Sequence, residues 1–268
     1  MRLSISRIKA FKSCRRMYEL KYLEHLEPIQ KAESLQTGSN YHKLLEELNK
    51  EGNLIEPWSE EDYTKERAMA EAYKKYIYPH FRVVEAEKWL EYELGEGDKL
   101  VGIVDGLADD GHIVEHKTTG SEITEAYEYN LLWDEQILAY MLMTGHRKVW
   151  YTVCRKPTIR QKQNETVEEF YHRMIEWYDT DTESKIRLLE IERTDDEVER
   201  FRQELTDIWK EMKYAENEEL FNPFYRNTCH CNMWGRRCEY SSICLHYDPN
   251  QEYVEFERRT DYEAKNEI

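Results

Sequence analysis

The pattern of apolar and polar positions predicts helices in the first part of the chain. Residues 4–26 carry apolar side chains at helical spacing behind a serine of the kind that caps helices, which predicts one helix with Cys14 on its apolar side. A second apolar stripe follows Gly38, with His42 beside it, and a third helix is predicted over residues 60–80.

The pattern then changes to short runs that alternate or are wholly apolar. Gly and Asp turns separate these runs, as in an antiparallel meander, and the predicted strands cover residues 86–94, 99–109 and 112–119. An amphipathic helix over 130–145, closed by Gly145, and a strand over 148–156 come next. This order predicts an α/β fold in which a mixed central sheet is flanked by helices.

The rest of the chain is more polar. We predict a helix over 165–178, a strand over 185–193 and a helix over 194–217 with Thr194 as its N-cap. We expect a single domain over 1–268 with five segments: an N-terminal helical arm (1–26), a core (36–155), a helical insertion with the helix after it (156–222), a cysteine-rich segment (223–247) and a polar tail (248–268).

The composition is typical of a globular intracellular protein. Hydrophobic residues make up 40% of the chain and charged residues 35%. No apolar run approaches the roughly 20 residues that span a bilayer, and the first residues lack the apolar stretch of a signal peptide. We therefore expect a cytoplasmic protein with no membrane partner. The formal net charge of −17 argues against broad attraction to a polyanion, so contact with nucleic acid would need local basic patches or metal ions.

Three charged residues interrupt the predicted strand pair of residues 99–119. Asp105 ends the first strand, and Glu115 and Lys117 share one face of the next because side chains alternate with a period of two. Two carboxylates and an amine would then converge, which suits a hard divalent cation such as magnesium and an attacking water beside it. The spacing alone also allows a salt-bridged turn on the surface of an ordinary hairpin.

The cysteines form a second pattern. Four of the six lie within sixteen residues: Cys229, Cys231, Cys238 and Cys244. In a reducing compartment such a cluster indicates a metal or iron-sulfur site before disulfides. A local zinc site would use all four, and a 4Fe-4S cluster could instead include Cys14, so the residues alone leave both open. Buried inert thiols are the remaining alternative, and Cys154 is predicted to be one such thiol in a strand.

Several segments together resemble a known family. The segments "VGIVDG" and "IVEHKTT" are similar to the D-x(n)-E-x-K core of the PD-(D/E)XK nuclease superfamily, specifically its RecB-like branch. In the same order, "GSNYHKLLEEL" resembles the branch's G-x-x-x-H-x-x-L-E helix, "DEQILAYML" its Q-x-x-x-Y helix and "SISRIKAFKSCRRMYELKYL" its N-terminal arm. The resemblance covers most of the chain and implies a restriction-endonuclease-like core within a single nuclease domain.

The resemblance also implies metal-dependent hydrolysis of DNA phosphodiesters. It makes His42, Asp105 and Glu115 ligands of Mg²⁺ or Mn²⁺, with the backbone carbonyl of His116 as a further ligand. Lys117 would act on the attacking water. The side chains that would orient Lys117 or the DNA are Gln136 and Tyr140.

A 4Fe-4S cluster is a further implication of the resemblance. Some RecB-like nucleases, including those of AddAB-type helicase-nucleases and CRISPR-associated exonucleases, hold such a cluster with one N-terminal and three C-terminal cysteines. The matching residues here are Cys14, Cys231, Cys238 and Cys244, with Cys229 as an alternative to Cys231 because only one residue separates the two. The cluster would be structural, since it would close a long loop, and zinc is the less favoured occupant.

Local basic residues could bind the DNA, which we expect to be single-stranded or to have free ends. The candidates are Arg15, Arg16, Arg155, Lys156, Arg236 and Arg237. They could equally be solvated charges that balance the acidic surface. We expect an exonuclease that acts at DNA ends in recombination, repair or replication, with partner proteins from those processes. The alternatives are a non-catalytic DNA-binding or scaffold protein that kept the fold and the cluster, and a nuclease specific for RNA or branched structures.

Overall fold

A computed structural model describes residues 1–29, 33–55, 57, 59–217, 222–233, 235–246, 248 and 253–258, with the backbone only at residues 33–35 and 60. Most of the polar tail predicted for residues 248–268 therefore lies outside the described residues. The helices of the described residues are α1 (Ile5–Ser13), α2 (Arg15–Tyr18), α3 (Glu33–Glu51), α4 (Lys65–Tyr76), α5 (Glu125–Leu131), α6 (Glu135–Thr144), α7 (Val167–Trp177), α8 (Asp195–Glu216) and α9 (Ser241–Leu245).

The strands are β1 (Arg2–Leu3), β2 (Leu26–Pro28), β3 (Val83–Gly95), β4 (Asp98–Ala108), β5 (Ile113–Thr119), β6 (Lys148–Arg155), β7 (Ile186–Glu192), β8 (Asn232–Met233), β9 (Arg236–Arg237) and β10 (Phe256–Arg258). Three of the strands, β3 to β5, follow one another directly, and helices lie on both sides of this group along the chain. Within the described residues, no helix combines the length and the apolar character needed to cross a bilayer.

The main sheet is mixed, as the order of elements predicts. Its strand order is β1-β4-β5-β6-β7, and β3 also pairs with β4. The β4–β5 and β6–β7 pairs are antiparallel, whereas β5 and β6 are parallel over the whole length of β5. A parallel pair needs a crossover between its strands, and α5 and α6 lie in that connection. The predicted mixed α/β fold is therefore confirmed.

The chain forms two compact units. The first comprises Met1–Lys31, Glu91–Gly102 and Glu199–Ile268, and the second comprises Ala32–Leu90 and Ile103–Val198. Three of the boundaries fall within elements: β3, β4 and α8. In the first unit, a small core forms where Leu20 and Leu26 pack with Tyr240 and Ile243.

The second unit buries both faces of its part of the sheet. On one face, Tyr41 of α3 and Tyr73 of α4 belong to the cluster that contains Val114 of β5. On the other face, Ile137 of α6 belongs to the cluster that contains Ile113 of β5. Consecutive residues of β5 thus point into different cores. Because both faces of the strand are covered, few of its residues are exposed.

Two predicted helices are broken in the structure. The helix predicted over residues 4–26 ends at Cys14, whose backbone is extended (φ −162°, ψ 113°), and a short helix and a π-helical turn follow it. The helix predicted over 130–145 is divided into α5 and α6, because Asp134 leaves helical geometry and caps α6 by accepting a hydrogen bond from the backbone N–H of Gln136. Helical spacing of apolar residues does not reveal interruptions of one to three residues, such as Cys14 and residues 132–134.

Other local predictions are confirmed. Thr194 accepts a hydrogen bond from the backbone N–H of Glu197 at the start of α8. Gly145 ends α6 with a left-handed backbone (φ 79°), a conformation that glycine adopts without strain. Cys154 is a buried residue of β6, in hydrogen-bond contact with the Tyr178 hydroxyl at 3.4 Å.

Gly106 of β4 lies where another strand approaches closely. A Cβ atom at this position would be 2.8 Å from Cγ1 of Val83 and 3.3 Å from the carbonyl oxygen of Glu85, both in β3. Real Cβ atoms are not found that close to a neighbour, so only glycine fits without a shift of β3. Gly106 directly follows Asp105, so the same close approach fixes the backbone next to that carboxylate.

We therefore expect Gly106→Ala to lower the free energy of unfolding by about 1–3 kcal/mol, the usual effect of overpacking a well-packed site. Chemical denaturation monitored by circular dichroism measures it. Gly120→Ala is the matched control, because a Cβ at Gly120 would have nothing within 4 Å. Equal stability of the two variants would contradict the assignment of Gly106 to a steric role.

Candidate active site

Asp105 is the centre of the polar site in the second unit. The sequence predicts Asp105 at the end of a strand, but the structure places it inside β4. Its Oδ2 accepts a hydrogen bond from the backbone N–H of His116 at 2.6 Å, and its Oδ1 lies 3.1 Å from Nδ1 of His42. One carboxylate thus joins α3, β4 and β5.

These contacts keep Asp105 ionised. Burial alone would raise its pKa, but the hydrogen bond with His42 and the charges of His42, His116 and Lys117 lower it to about 2. For His42, burial alone would lower the pKa. The hydrogen bond and the negative charge of Asp105 outweigh burial, so the pKa of His42 is raised above its usual value.

Glu115 and Lys117 lie on the same face of β5, as the two-residue period predicts. Glu115 is only 2% exposed, and its Oε1 accepts a hydrogen bond from Nζ of Lys117. Its Oε2 is buried without a hydrogen-bond partner among the described residues. Burial and the charge of Asp105 raise the pKa of Glu115 to about 7, against the opposing effect of Lys117. An unsatisfied buried carboxylate oxygen is a group that a cation would satisfy.

Lys117 is held by a chain of hydrogen bonds that ends on the backbone. Its Nζ donates to Oε1 of Gln136 at 3.0 Å, the Gln136 amide donates to the Tyr140 hydroxyl at 2.7 Å, and that hydroxyl donates to the carbonyl of Ile103 at 2.6 Å. Because the Tyr140 proton goes to a carbonyl, its oxygen can only accept from Gln136, which turns the amide oxygen of Gln136 toward Lys117. Gln136 thus contacts Lys117 directly and Tyr140 is linked to it through Gln136. The role of the two residues in orienting Lys117 stays a prediction.

His116 lies between Glu115 and Lys117 in β5, and its side chain points to the opposite face of the strand. Its Nδ1 is 2.7 Å from the Thr152 hydroxyl, and its ring packs edge-on against Tyr73 at 5.2 Å. Burial lowers the pKa of its imidazole to about 4, so the ring is neutral near pH 7. Its backbone N–H is committed to Asp105, and the role of its carbonyl as a metal ligand stays a prediction.

Glu87 of β3 is a site residue that sequence reasoning missed. Ligand atoms of His42, Glu87 and Asp105 all lie within 4.8 Å of one another. The backbone of Glu87 is left-handed (φ 48°), an uncommon conformation for a residue with a side chain inside a strand. Burial and the charges of Asp105 and Glu46 raise its pKa to about 7. The sequence carries no signal for this backbone twist, and several other glutamates occupy the same strand.

The donor set fits a hard divalent cation. Ligand atoms of His42, Glu87 and Asp105 lie together, and Glu115, which pairs with Lys117, is close enough for its charge to interact with Asp105. Oxygen-rich sets of this kind suit magnesium and manganese better than zinc. Burial, together with the negative charge of Asp105, raises the pKa of both Glu87 and Glu115.

The first unit gathers four cysteines. Cys14, Cys231, Cys238 and Cys244 line one small pocket, whereas Cys229 is exposed and is not among the residues that line it. The backbone N–H of Asn227 donates to the Sγ of Cys14 at 3.3 Å. Burial raises the pKa of both Cys238 and Cys244, and for Cys244 the charges of Arg226 and Arg16 act in the opposite direction. The structure thus brings together the four cysteines preferred from the sequence, and their role as ligands stays a prediction.

The predicted DNA-binding residues are placed as follows. Arg15 pairs with Glu211, Arg16 pairs with Glu19, and Arg155 contacts Glu122 at 3.1 Å. Burial and the charge of Lys65 lower the pKa of Lys156. Arg236 and Arg237 are exposed in β9. Arginines with carboxylate partners are less available to phosphates than the exposed pair, and the DNA-binding role of all six stays a prediction.

Comparison with known proteins identifies the family. A sequence model of the PD-(D/E)XK nuclease superfamily matches residues 2–245. The chain belongs to the PD-(D/E)XK nuclease superfamily. Asp105, Glu115 and Lys117 lie within the matched region, and the mixed sheet flanked by helices agrees with the restriction-endonuclease-like fold expected of this superfamily. A search for similar sequences among curated proteins gives no match.

Solved structures include similar chains. A protein from Eubacterium rectale assigned as an exonuclease is 13% identical, with a TM-score of 0.53 over 94% of this chain and 90% of that chain. A phage-related exonuclease from Haemophilus somnus 129PT is 13% identical, with a TM-score of 0.36 over 68% of this chain and 85% of that chain. An alkaline exonuclease from Laribacter hongkongensis is 15% identical, with a TM-score of 0.33 over 81% of this chain and 93% of that chain. The similarity to the Eubacterium rectale protein extends to the fold alone.

The crowding of carboxylates predicts an unusual effect of Glu87→Gln. Since folding raises the pKa of Glu87 from 4.5 to about 7, its ionised form destabilises the metal-free fold, and this effect grows as the pH rises through that window. We expect Glu87→Gln in EDTA to melt at a higher temperature than the parent chain at pH 8, with little difference at pH 4.5. With Mn²⁺ present, the variant should gain less thermal stability than the parent chain.

Differential scanning fluorimetry with and without Mn²⁺ measures both effects. Glu85→Gln is the matched control, since Glu85 lies on the same strand and forms an exposed ion pair with Lys88. A variant at Glu87 that melts like the control under all conditions would remove Glu87 from the site.

Proposed function

We propose that this chain is a metal-dependent deoxyribonuclease of the RecB-like branch, and that it acts as an exonuclease at DNA ends. The observation that carries the proposal is the contact network of four residues in the second unit: His42 with Asp105, Asp105 with the backbone next to Glu115, and Glu115 with Lys117. These residues fill the positions of the superfamily's D-x(n)-E-x-K pattern and of the histidine that precedes it in the RecB-like branch. Burial and the charge of Asp105 raise the pKa of two further carboxyl groups beside it, Glu115 and Glu87.

Mg²⁺ or Mn²⁺ would be held by His42, Asp105 and Glu115, with Glu87 as an additional carboxylate on the His42 side. When bound, the ion would lower the pKa of a water ligand and offset charge on the phosphate. The protein contributes the placement of the donors. The backbone N–H of His116 and the imidazole of His42 fix both oxygens of Asp105, so its carboxylate has little freedom to rotate.

Lys117 would act as a cation and not as a free base. Burial by itself would lower its pKa, but the charges of Glu115 and Asp105 outweigh burial and raise the pKa above its usual value. The ammonium form therefore persists at neutral pH. In that form Lys117 can hold an attacking water by hydrogen bonding and stabilise negative charge on the phosphate, while Gln136 keeps its Nζ in position.

Exonuclease action at single-stranded or free DNA ends is the finer part of the proposal. The Eubacterium rectale protein of the same fold is assigned as an exonuclease, which favours this activity. The net charge of −17 also favours an enzyme that accepts a strand end over one that scans duplex DNA by electrostatic attraction. We propose recombination, repair or replication as the process, with partner proteins of those processes.

A 4Fe-4S cluster held by Cys14, Cys231, Cys238 and Cys244 completes the proposal. Its support is the shared pocket of these four thiols and the N–H donor of Asn227 on the Cys14 sulfur, a type of hydrogen bond that accompanies cluster ligands. Cys229 is exposed and outside the pocket, which favours Cys231 of the two. The cluster would link the N-terminal arm to the C-terminal segment and would be structural.

The active-site proposal predicts the effect of Lys117→Ala and Glu115→Ala. Each should lower the rate of metal-dependent DNA cleavage by at least about 100-fold, because each removes a group that acts on the reacting atoms. The assay uses end-labelled single- and double-stranded DNA with Mg²⁺, with Mn²⁺ and with EDTA. Circular dichroism should show that both variants remain folded.

Lys148→Ala is the control for this assay, since Lys148 lies on the adjacent strand and pairs with Glu190 at the surface. Cleavage at the parental rate by either active-site variant would refute the site. A parent chain that binds DNA but does not cleave it in the presence of Mg²⁺ or Mn²⁺ would favour the non-catalytic DNA-binding alternative.

The cluster proposal predicts a difference between two neighbouring cysteines. After anaerobic purification the parent chain should be brown, with about four irons per chain. Cys231→Ser should lose most of the iron, whereas Cys229→Ser should keep it. Iron and zinc analysis with a visible spectrum gives the result independently of cleavage.

A colourless protein with one zinc per chain would replace the cluster by a zinc site. Loss of iron in Cys229→Ser and retention of iron in Cys231→Ser would show that Cys229, and not Cys231, is the ligand.

A further inference from the structure

Two aromatic side chains are exposed at the junction of α5 and α6. Trp133 is 70% exposed and Tyr129 is 60% exposed, with the ring centroids 6.5 Å apart at an interplanar angle of 69°. Leu132 between them is 50% exposed. Among the aromatic side chains of the described residues, Trp133 is the most exposed. Large apolar groups that gather at the surface usually mark a binding site.

The backbone that carries this pair is ordered by its own hydrogen bonds. The N–H groups of Leu132 and Trp133 donate to the carbonyls of Tyr129 and Asn130 at 3.2 Å. The next residue, Asp134, caps α6 through the backbone N–H of Gln136 at 3.0 Å. The backbone that carries the aromatic pair is thus ordered before binding, which lowers the entropy lost when a ligand is bound.

The same backbone connects the pair to the active site. Trp133 lies three residues before Gln136, whose side chain contacts Nζ of Lys117 at 3.0 Å. Asp134, adjacent to Trp133, is one of the charges that act on Lys117. A DNA strand whose phosphodiester lies at Lys117 would place neighbouring nucleotides beside this junction.

The surroundings of the pair indicate which part of the strand it would contact. The adjoining groove is lined by the carboxylates of Glu125 and Glu128, and Glu128 forms an ion pair with Arg187. Carboxylates repel phosphates but not the uncharged faces of bases. Aromatic side chains bind unpaired bases by stacking, with little dependence on sequence.

We infer that Tyr129 and Trp133 form a platform on which bases of single-stranded DNA stack as the strand enters the active site. The inference rests on the proposed function and adds a specificity element to it. Duplex DNA keeps its base faces covered, so the platform favours single strands and frayed ends. Because the contact is uncharged, its contribution to affinity changes little with salt.

The test measures binding of a fluorescently labelled single strand in EDTA, where no cleavage occurs. A second strand has the same length and phosphates but abasic residues in its last four positions. We expect Trp133→Ala to weaken binding of the normal strand about tenfold and to leave binding of the abasic strand unchanged. Trp133→Phe should retain most of the affinity, and Tyr214→Ala, which removes another exposed tyrosine, is the control.

The outcomes separate this inference from the proposed function. Equal losses of affinity for both strands would indicate a general structural effect and overturn the platform. Unchanged binding by Trp133→Ala would also overturn it, and is the result expected if the pair docks a protein. The cleavage assay is run in parallel with Mn²⁺. A tenfold selective loss of binding without any cleavage by the parent chain would sustain the platform and remove the nuclease assignment. Cleavage by the parent chain with no selective loss of binding in Trp133→Ala would sustain the nuclease assignment and overturn the platform.

Discussion

The candidate site depends on the way in which Asp105 is held. A carboxylate buried between strands would ordinarily take up a proton, yet two bonds oppose this: the backbone N–H of His116 donates to one oxygen and the ring of His42 lies 3.1 Å from the other. These bonds fix the charge of Asp105 and connect α3 to two strands of the sheet. His42 and Glu87 are then close to Asp105, and Glu115 and Lys117 follow from the alternation of β5.

The remaining groups are arranged around that charge at a cost in stability. Glu115 and Glu87 both have pKa values raised to about 7, and Oε2 of Glu115 has no partner among the described residues. Lys117 offsets only one of these charges. A fold selected for stability alone would replace such carboxylates with neutral groups, so their presence favours a ligand that carries positive charge. A divalent cation has the charge and the preference for oxygen donors that this arrangement requires.

The sequence predicts those parts of the site that depend on local periodicity. Alternation in β5 places Glu115 beside Lys117, and one helical turn places Gln136 next to Tyr140. The mixed sheet follows from the order of apolar runs. Glu87 could not be predicted, because its approach to His42 depends on a left-handed backbone at one position of β3. The break at Cys14 was also hidden, because the apolar stripe continues through the extended residue.

The break at Cys14 bears on the cysteine pocket. A helix that continued to residue 26 would carry Cys14 as one more residue of its apolar stripe. The extended backbone instead ends α1 at Ser13 and leaves the Cys14 sulfur to accept the N–H of Asn227, more than two hundred residues later in the chain. Contacts of such sequence separation are entropically expensive to form, and a bound group that bridges them stabilises the fold more than a local one would. The departure from helical geometry therefore has a structural use if the four thiols share one ligand.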